Sequence, residues 1–184
     1  MNARLGFVDR FKAQVEAAGG KVVVCRSREE AVGVVRQELY RRNLREVLGG
    51  GLGGRWASLK ESLESWGAKL LETPPRLTPD GIPEVGIGEA EYAVAETGTL
   101  VEVAWHRERL LSSLLPPVHI ALLDEDRIVP DLDSLFVVLL PLLSQGPRPR
   151  VVCITGPSRS ADIEKLLILG AHGPRELIVV LSPP

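Results

Sequence analysis

Cysteine is scarce: the 184 residues contain only two, Cys25 and Cys153. With no Cys-x-x-Cys pair and no multi-cysteine cluster, the chain alone cannot ligate an iron–sulfur cluster or a zinc ribbon, and no metal site is expected in it. Each cysteine stands in an apolar run, Val22-Val23-Val24-Cys25 and Val151-Val152-Cys153-Ile154, where a reduced thiol packs as a small hydrophobe. Aromatic residues make up 4% of the chain, so Leu, Val, Ile and Ala must build the core. No sign of charge dominates. The formal net charge is −2, which provides no bulk field for nucleic acid or an anionic membrane. The basic residues gather in the first third, but Arg36, Arg41, Arg42 and Arg45 are interspersed with Glu38 and Glu46, as on solvated helix faces. Long hydrophobic runs are missing too. Charges break up Met1–Val15, which does not read as a signal peptide. The longest apolar stretch, around Leu135–Leu143, is too short to span a bilayer and contains Pro141. These absences predict a cytoplasmic protein with no nucleic-acid partner and no membrane insertion.

What is present is ordinary for a globular chain: 45% apolar and 25% charged residues, at a length that suits one domain over 1–184. Such a chain buries a full core without a disulfide or metal staple. Leu5, Val8, Phe11 and Val15 fall at helical spacing, and Gly19-Gly20 ends the pattern. Lys21–Cys25 reads as a short buried strand. Ser27-x-x-Glu30 is a capping box before Val32, Val35 and Leu39. A weak strand at Arg45–Leu48 enters a Gly-rich turn, a helix with Trp56, Leu59, Leu63 and Trp66 on one face follows, and Ala68–Glu72 is the next strand. The alternation predicts an α/β fold: three layers, a mixed, mostly parallel sheet, helices on both faces. Between Thr73-Pro74-Pro75 and Pro117 no helix is expected. Val118–Leu123 reads as a strand buried on both faces. Asp131 caps a helix carrying Leu132, Leu135, Phe136, Leu139 and Leu143, and Val151–Thr155 and Leu177–Leu181 are strands flanking a helix at Ala161–Leu169.

Three turns carry chemistry. Gly49-x-Gly51-x-x-Gly54, with Glu72 ending the next strand, matches a dinucleotide fingerprint, in which glycines admit a pyrophosphate and the acid holds a ribose. Five glycines in six residues also fit a plain strand-end loop. Glu96-Thr97-Gly98-Thr99 sets a carboxylate and backbone N–H groups at the edge of an apolar run. Glu96 is there either a base or nucleophile backed by an oxyanion site, or simply an acceptor of turn hydrogen bonds. Thr155-Gly156-Pro157-Ser158-Arg159-Ser160-Ala161-Asp162 leads from a strand into a helix, the place where α/β sheets hold anions; Ser160 and Asp162 also serve as N-cap and dipole partner. His172, followed by Gly173, either caps the helix end or titrates in a cleft. His119 is either a satisfied structural histidine or a ligand contact.

Taken together, Ala95-Glu96-Thr97-Gly98-Thr99-Leu100-Val101, Leu115-Pro116-Pro117-Val118-His119-Ile120, Ile154-Thr155-Gly156-Pro157-Ser158-x-Ser160-Ala161-Asp162-Ile163-Glu164 and Gly170-x-His172-Gly173-Pro174 resemble the ordered motifs of the lactate-utilisation protein C family, the LUD domain. The resemblance covers roughly residues 83–181. It implies a fold like the ribose-phosphate isomerase (NagB/RpiA) and CoA-transferase superfamily, and a non-redox subunit of an L-lactate-oxidising system whose iron–sulfur clusters sit on partner proteins. On this reading the chain has no cofactor of its own and an anionic small molecule lies in its cleft. Glu96 and His172 would handle protons, while Thr97, Gly98, Thr99, His119, Gly156, Pro157, Ser158, Ser160, Asp162 and Gly173 would contact the ligand. Two other readings are an acyl- or CoA-transferring enzyme with Glu96 as covalent nucleophile, and a dinucleotide enzyme using Gly49–Gly54.

Overall fold

A computed structural model describes residues 3–50, 52–76, 78, 81–144, 148–158 and 173–184. Three central strands, β4 (Val85–Glu89), β7 (Val118–Asp124) and β10 (Glu176–Ser182), are apolar on both faces and buried almost throughout. Strands of that kind require cover on each side, which parallel sheets supply. Together with β1 (Lys21–Val24), β2 (Glu46–Leu48) and β3 (Lys69–Leu71) they form a six-stranded sheet in the order β1-β10-β7-β4-β2-β3. Every pairing in it is parallel.

One face is covered by α2 (Arg28–Arg41) and α3 (Ala57–Ser65). Val35 and Leu39 of α2, Leu59 and Leu63 of α3, and Trp56 interlock there with Val85, Ile87, Val118, Ile120 and Val180. The start of α2 is specified locally: Ser27 Oγ accepts from Glu30 N–H at 3.2 Å, and Glu30 Oε2 accepts from Arg26 N–H at 2.7 Å. The other face meets α1 (Ala3–Ala17), through Val8, Phe11 and Val15, and a second sheet. That second sheet has four strands in the order β8-β5-β6-β9, comprising β5 (Tyr92–Val94), β6 (Thr99–Ala104), β8 (Ile128–Val129) and β9 (Arg150–Ile154). Its β6 runs antiparallel to β5 and β9. Ala93 and Leu100 face the large sheet, while Val94, Val101 and Val103 take up Leu135 and Leu139 of α5 (Leu132–Leu143). Asp131 Oδ1 caps α5 by accepting from Ser134 N–H at 2.8 Å.

The stretch expected to lack a helix contains one, α4 (Arg107–Leu114). Its buried face is Leu110, Ser112 and Ser113, laid over Gly86 and Gly88 of β4. A Cβ on Gly86 would lie 1.8 Å from the Ser112 carbonyl oxygen. Small residues on both sides bring helix and strand into backbone contact, so α4 needs no apolar stripe. The expected helix at Ala161–Leu169 lies outside the described residues.

Candidate functional site

Because the six-stranded sheet is parallel, its two edges differ chemically. The order of winding reverses between β2 and β4: β2 leads outward to β3, whereas β4 leads back toward β7 and β10. In open α/β sheets the crevice beyond the carboxyl ends of two such strands is the usual ligand position. A crevice of about 360 Å³ lies there, lined by Gly50, Glu72, Trp105, His106, Glu108 and Arg109. Gly50 follows β2, Glu72 follows β3, and the remainder span the β6–α4 junction.

Arg109 organises this crevice. Its Nη2 donates to the Glu91 carboxylate and, at 3.1 Å, to the Glu89 carbonyl, while the buried Nε has no partner among the described residues. Glu91 Oε2 also accepts from Val103 N–H at 2.7 Å. Burial nonetheless raises the Glu91 carboxyl to about 7; Arg109 and the Val103 N–H pull it down, and nearby Glu89 and Glu102 push it up. Beside it, Arg55 from the Gly-rich turn binds Glu89 Oε1 at 2.6 Å and stands 3.3 Å from Asp124 Oδ2. Arg28 donates to Asp124 Oδ1 at 2.8 Å and stacks 4.4 Å above the Trp56 ring. Glu102, on the inward face of β6, is 3.1 Å from His119 Nε2 and accepts from Ser113 Oγ at 2.6 Å.

The motif turns lie at the opposite edge. Glu96-Thr97-Gly98 is the β5–β6 hairpin turn, pressed against the end of α1: a Cβ on Gly98, whose φ is +66°, would come 2.7 Å from Val15 N. Glu96 N–H donates to the Pro130 carbonyl and Gly98 N–H to the Val94 carbonyl, which commits both groups within the fold. The Glu96 carboxylate is half exposed, 3.6 Å from Arg10. Thr97, Thr99 and Thr155 form a chain of hydroxyls with links of 2.7 and 2.8 Å. Gly156, at φ +74°, fits under Ala18. Beyond Pro157, Ser158 N–H donates to the Pro174 carbonyl at 2.7 Å, next to Gly173. Thus Glu96–Thr99, Gly156–Ser158 and Gly173 assemble at the amino-terminal edge of the sheet. His119 does not join them: it is wholly buried between the sheets. Ser160, Asp162 and His172 lie outside the described residues, as does Gly51.

The Gly-rich turn is anchored by buried Leu52 and Trp56, and its Gly50 is packed against the Glu108 and Glu72 carbonyl oxygens. Sequence reasoning passed over Glu91, Glu102, Arg109 and His106. The signal available was the placement of Glu89, Glu91 and Glu102 inside otherwise apolar segments, where a carboxylate needs a partner. No group of three or more potential metal-ligating side chains gathers among the described residues, and no described helix is long and apolar enough to cross a membrane.

Comparison with known proteins bears on residues 83–182, which match the model of the LUD domain. An uncharacterized protein of Neisseria meningitidis is 36% identical over 101 residues, 55% of this chain and 43% of that protein. A lactate utilization protein C of Halalkalibacterium halodurans is 34% identical over 121 residues, 62% of this chain and 50% of its own length. The chain therefore spans about half the length of these curated relatives. A crystal structure of a DUF162 family protein from Deinococcus radiodurans shares the fold, with a TM-score of 0.70 over 99% of each chain at 20% identity. With the family match covering more than half of its residues, the chain belongs to the LUD domain family.

Proposed function

We propose that this protein is a non-redox component of an L-lactate utilisation system, located in the cytoplasm, and that it works beside iron–sulfur partner proteins while holding an anionic small molecule itself. The observation that carries the proposal is the 34% identity to a lactate utilization protein C over 121 residues. Oxidation of L-lactate to pyruvate releases two electrons and two protons, and the electrons need an acceptor. Cysteine thiolates are the usual cluster ligands, and a cluster takes about four of them. Here Cys25 is buried and Cys153 lies exposed on β9, so the donor set supports assigning the clusters to partners. Kinship with the CoA-transferase superfamily belongs to the same proposal.

The test is genetic and biochemical. Deletion of the gene should abolish L-lactate-dependent growth and pyruvate formation, and re-expression should restore both. The tagged protein should co-purify with iron-containing polypeptides showing cluster absorbance. Undiminished growth on L-lactate after deletion would overturn the proposal.

A further inference from the structure

We propose that the crevice between Gly50, Trp105 and Arg109 is a binding site for a short monocarboxylate, which takes over the Arg109 guanidinium as Glu91 accepts a proton. This deepens the reading above and rests on it only for the class of acid.

Arg55 is already neutralised by Glu89 and Asp124, and Glu102 is held by His119 and Ser113. Arg109 has Glu91 as its charged partner, yet Glu91 is crowded by Glu89 on β4 and Glu102 on β6. A proton on Glu91 relieves that repulsion and leaves the guanidinium uncompensated beside an open crevice. Its buried Nε already lacks a hydrogen-bond partner among the described residues. An anion that enters together with a proton keeps the local charge constant, which is the least costly way to occupy a poorly solvated site.

The walls select the ligand. Glu72 and Glu108 also line the crevice, so a doubly charged phosphate would face two carboxylates there. One negative charge paired with one guanidinium is tolerated, preferably as a bidentate carboxylate. Trp105 supplies an apolar wall, Gly50 contributes only backbone, and His106 completes the lining. A volume of about 360 Å³ lies at the small end of ligand pockets.

The groups facing Glu91 are Arg109 on α4, Glu89 on β4, and Glu102 and the Val103 N–H on β6, with Arg55 farther off. Titration of Glu91 near neutrality makes carboxylate binding about tenfold weaker at pH 8 than at pH 6. Calorimetry of the full chain with sodium acetate, L-lactate and pyruvate, in buffers of differing ionisation enthalpy, should show uptake of up to one proton per carboxylate. Arg109→Gln should abolish binding. Glu91→Gln, neutral at every pH, should bind at pH 8 as tightly as the wild type does at pH 6. That second variant keeps the proposal testable should Arg109→Gln fail to fold. Absence of carboxylate binding at pH 6, pH-independent affinity in the wild type, or tighter binding of inorganic phosphate would each overturn the site. Loss of growth on L-lactate upon deletion, together with no carboxylate binding, would overturn this site and leave the pathway reading standing.

Discussion

Glu102 and His119 hold each other in the space between the two sheets, Oε1 and Nε2 being 3.1 Å apart with almost no exposed surface on either residue. His119 Nδ1, on the other side of the ring, is left without a partner among the described residues. Removing one member strands the other in a dry environment. Glu102→Ala or His119→Ala should therefore cost about 3–5 kcal/mol in urea unfolding. The double variant should cost less than the sum of the two singles, because the pair is coupled.

Two glycines should respond in opposite ways to the same substitution. Gly86→Ala drives a methyl group into the Ser112 carbonyl, a backbone clash that should exceed the roughly 1–3 kcal/mol typical of overpacking. Gly33→Ala, within α2 and with nothing inside 4 Å of its Cβ position, should stabilise the protein by about 0.5–1 kcal/mol. Thermal unfolding of both variants distinguishes close approach from mere chain freedom.

Glu91 should leave a pH signature on stability. Its carboxyl sits at about 7 in the folded protein against an ordinary 4.5, so the folded state binds the extra proton between those values. Stability from this group is complete below about 4.5 and is lost as pH rises through about 7. Glu91→Gln removes that dependence. Between pH 5 and pH 8 the wild-type melting temperature should fall further than that of the variant, by roughly 5 °C. Parallel pH profiles would rule out the assignment.

The two thiols should separate under a thiol reagent. Burial, aided by the Glu30 charge, pushes the Cys25 thiol up to about 11, and burial raises Cys153 as well, though that residue lies on exposed β9. At pH 8 the native protein should titrate with one slowly reacting thiol, and the unfolded chain with two. Cys153→Ser should abolish the native reaction.

Much of the fold was legible where a local signal sufficed. Ser27-x-x-Glu30 and Asp131 mark helix starts because their side chains bond to backbone N–H groups only a few residues away. Leu177–Leu181 shows itself as a central strand through unbroken apolarity, and Val118–Leu123 does so with His119 as its one polar residue. The helix α4 stayed hidden because its buried face is partly serine and its neighbour is glycine, a pairing that periodicity does not register. The separation of β5, β6 and β9 into a second sheet was equally invisible: all six residues of β6 are buried, so alternation carries no information on which face meets which layer. The motif turns were recognised, and three of them do assemble. Of the crevice, the sequence marks Gly50 and Glu72 through the Gly-rich turn, but not Arg109 and Glu91, which stand 18 positions apart.

The hydroxyl chain Thr97–Thr99–Thr155 and the Arg109 crevice terminate opposite ends of β6, a strand of six residues. At about 3.3 Å per residue that is a span of roughly 20 Å, several times the length of a three-carbon acid. No single such molecule bridges the two ends. Whatever the turns at Glu96–Thr99 and Gly156–Ser158 engage, they do so from the far end of β6, with the length of that strand between them and an occupant of the crevice.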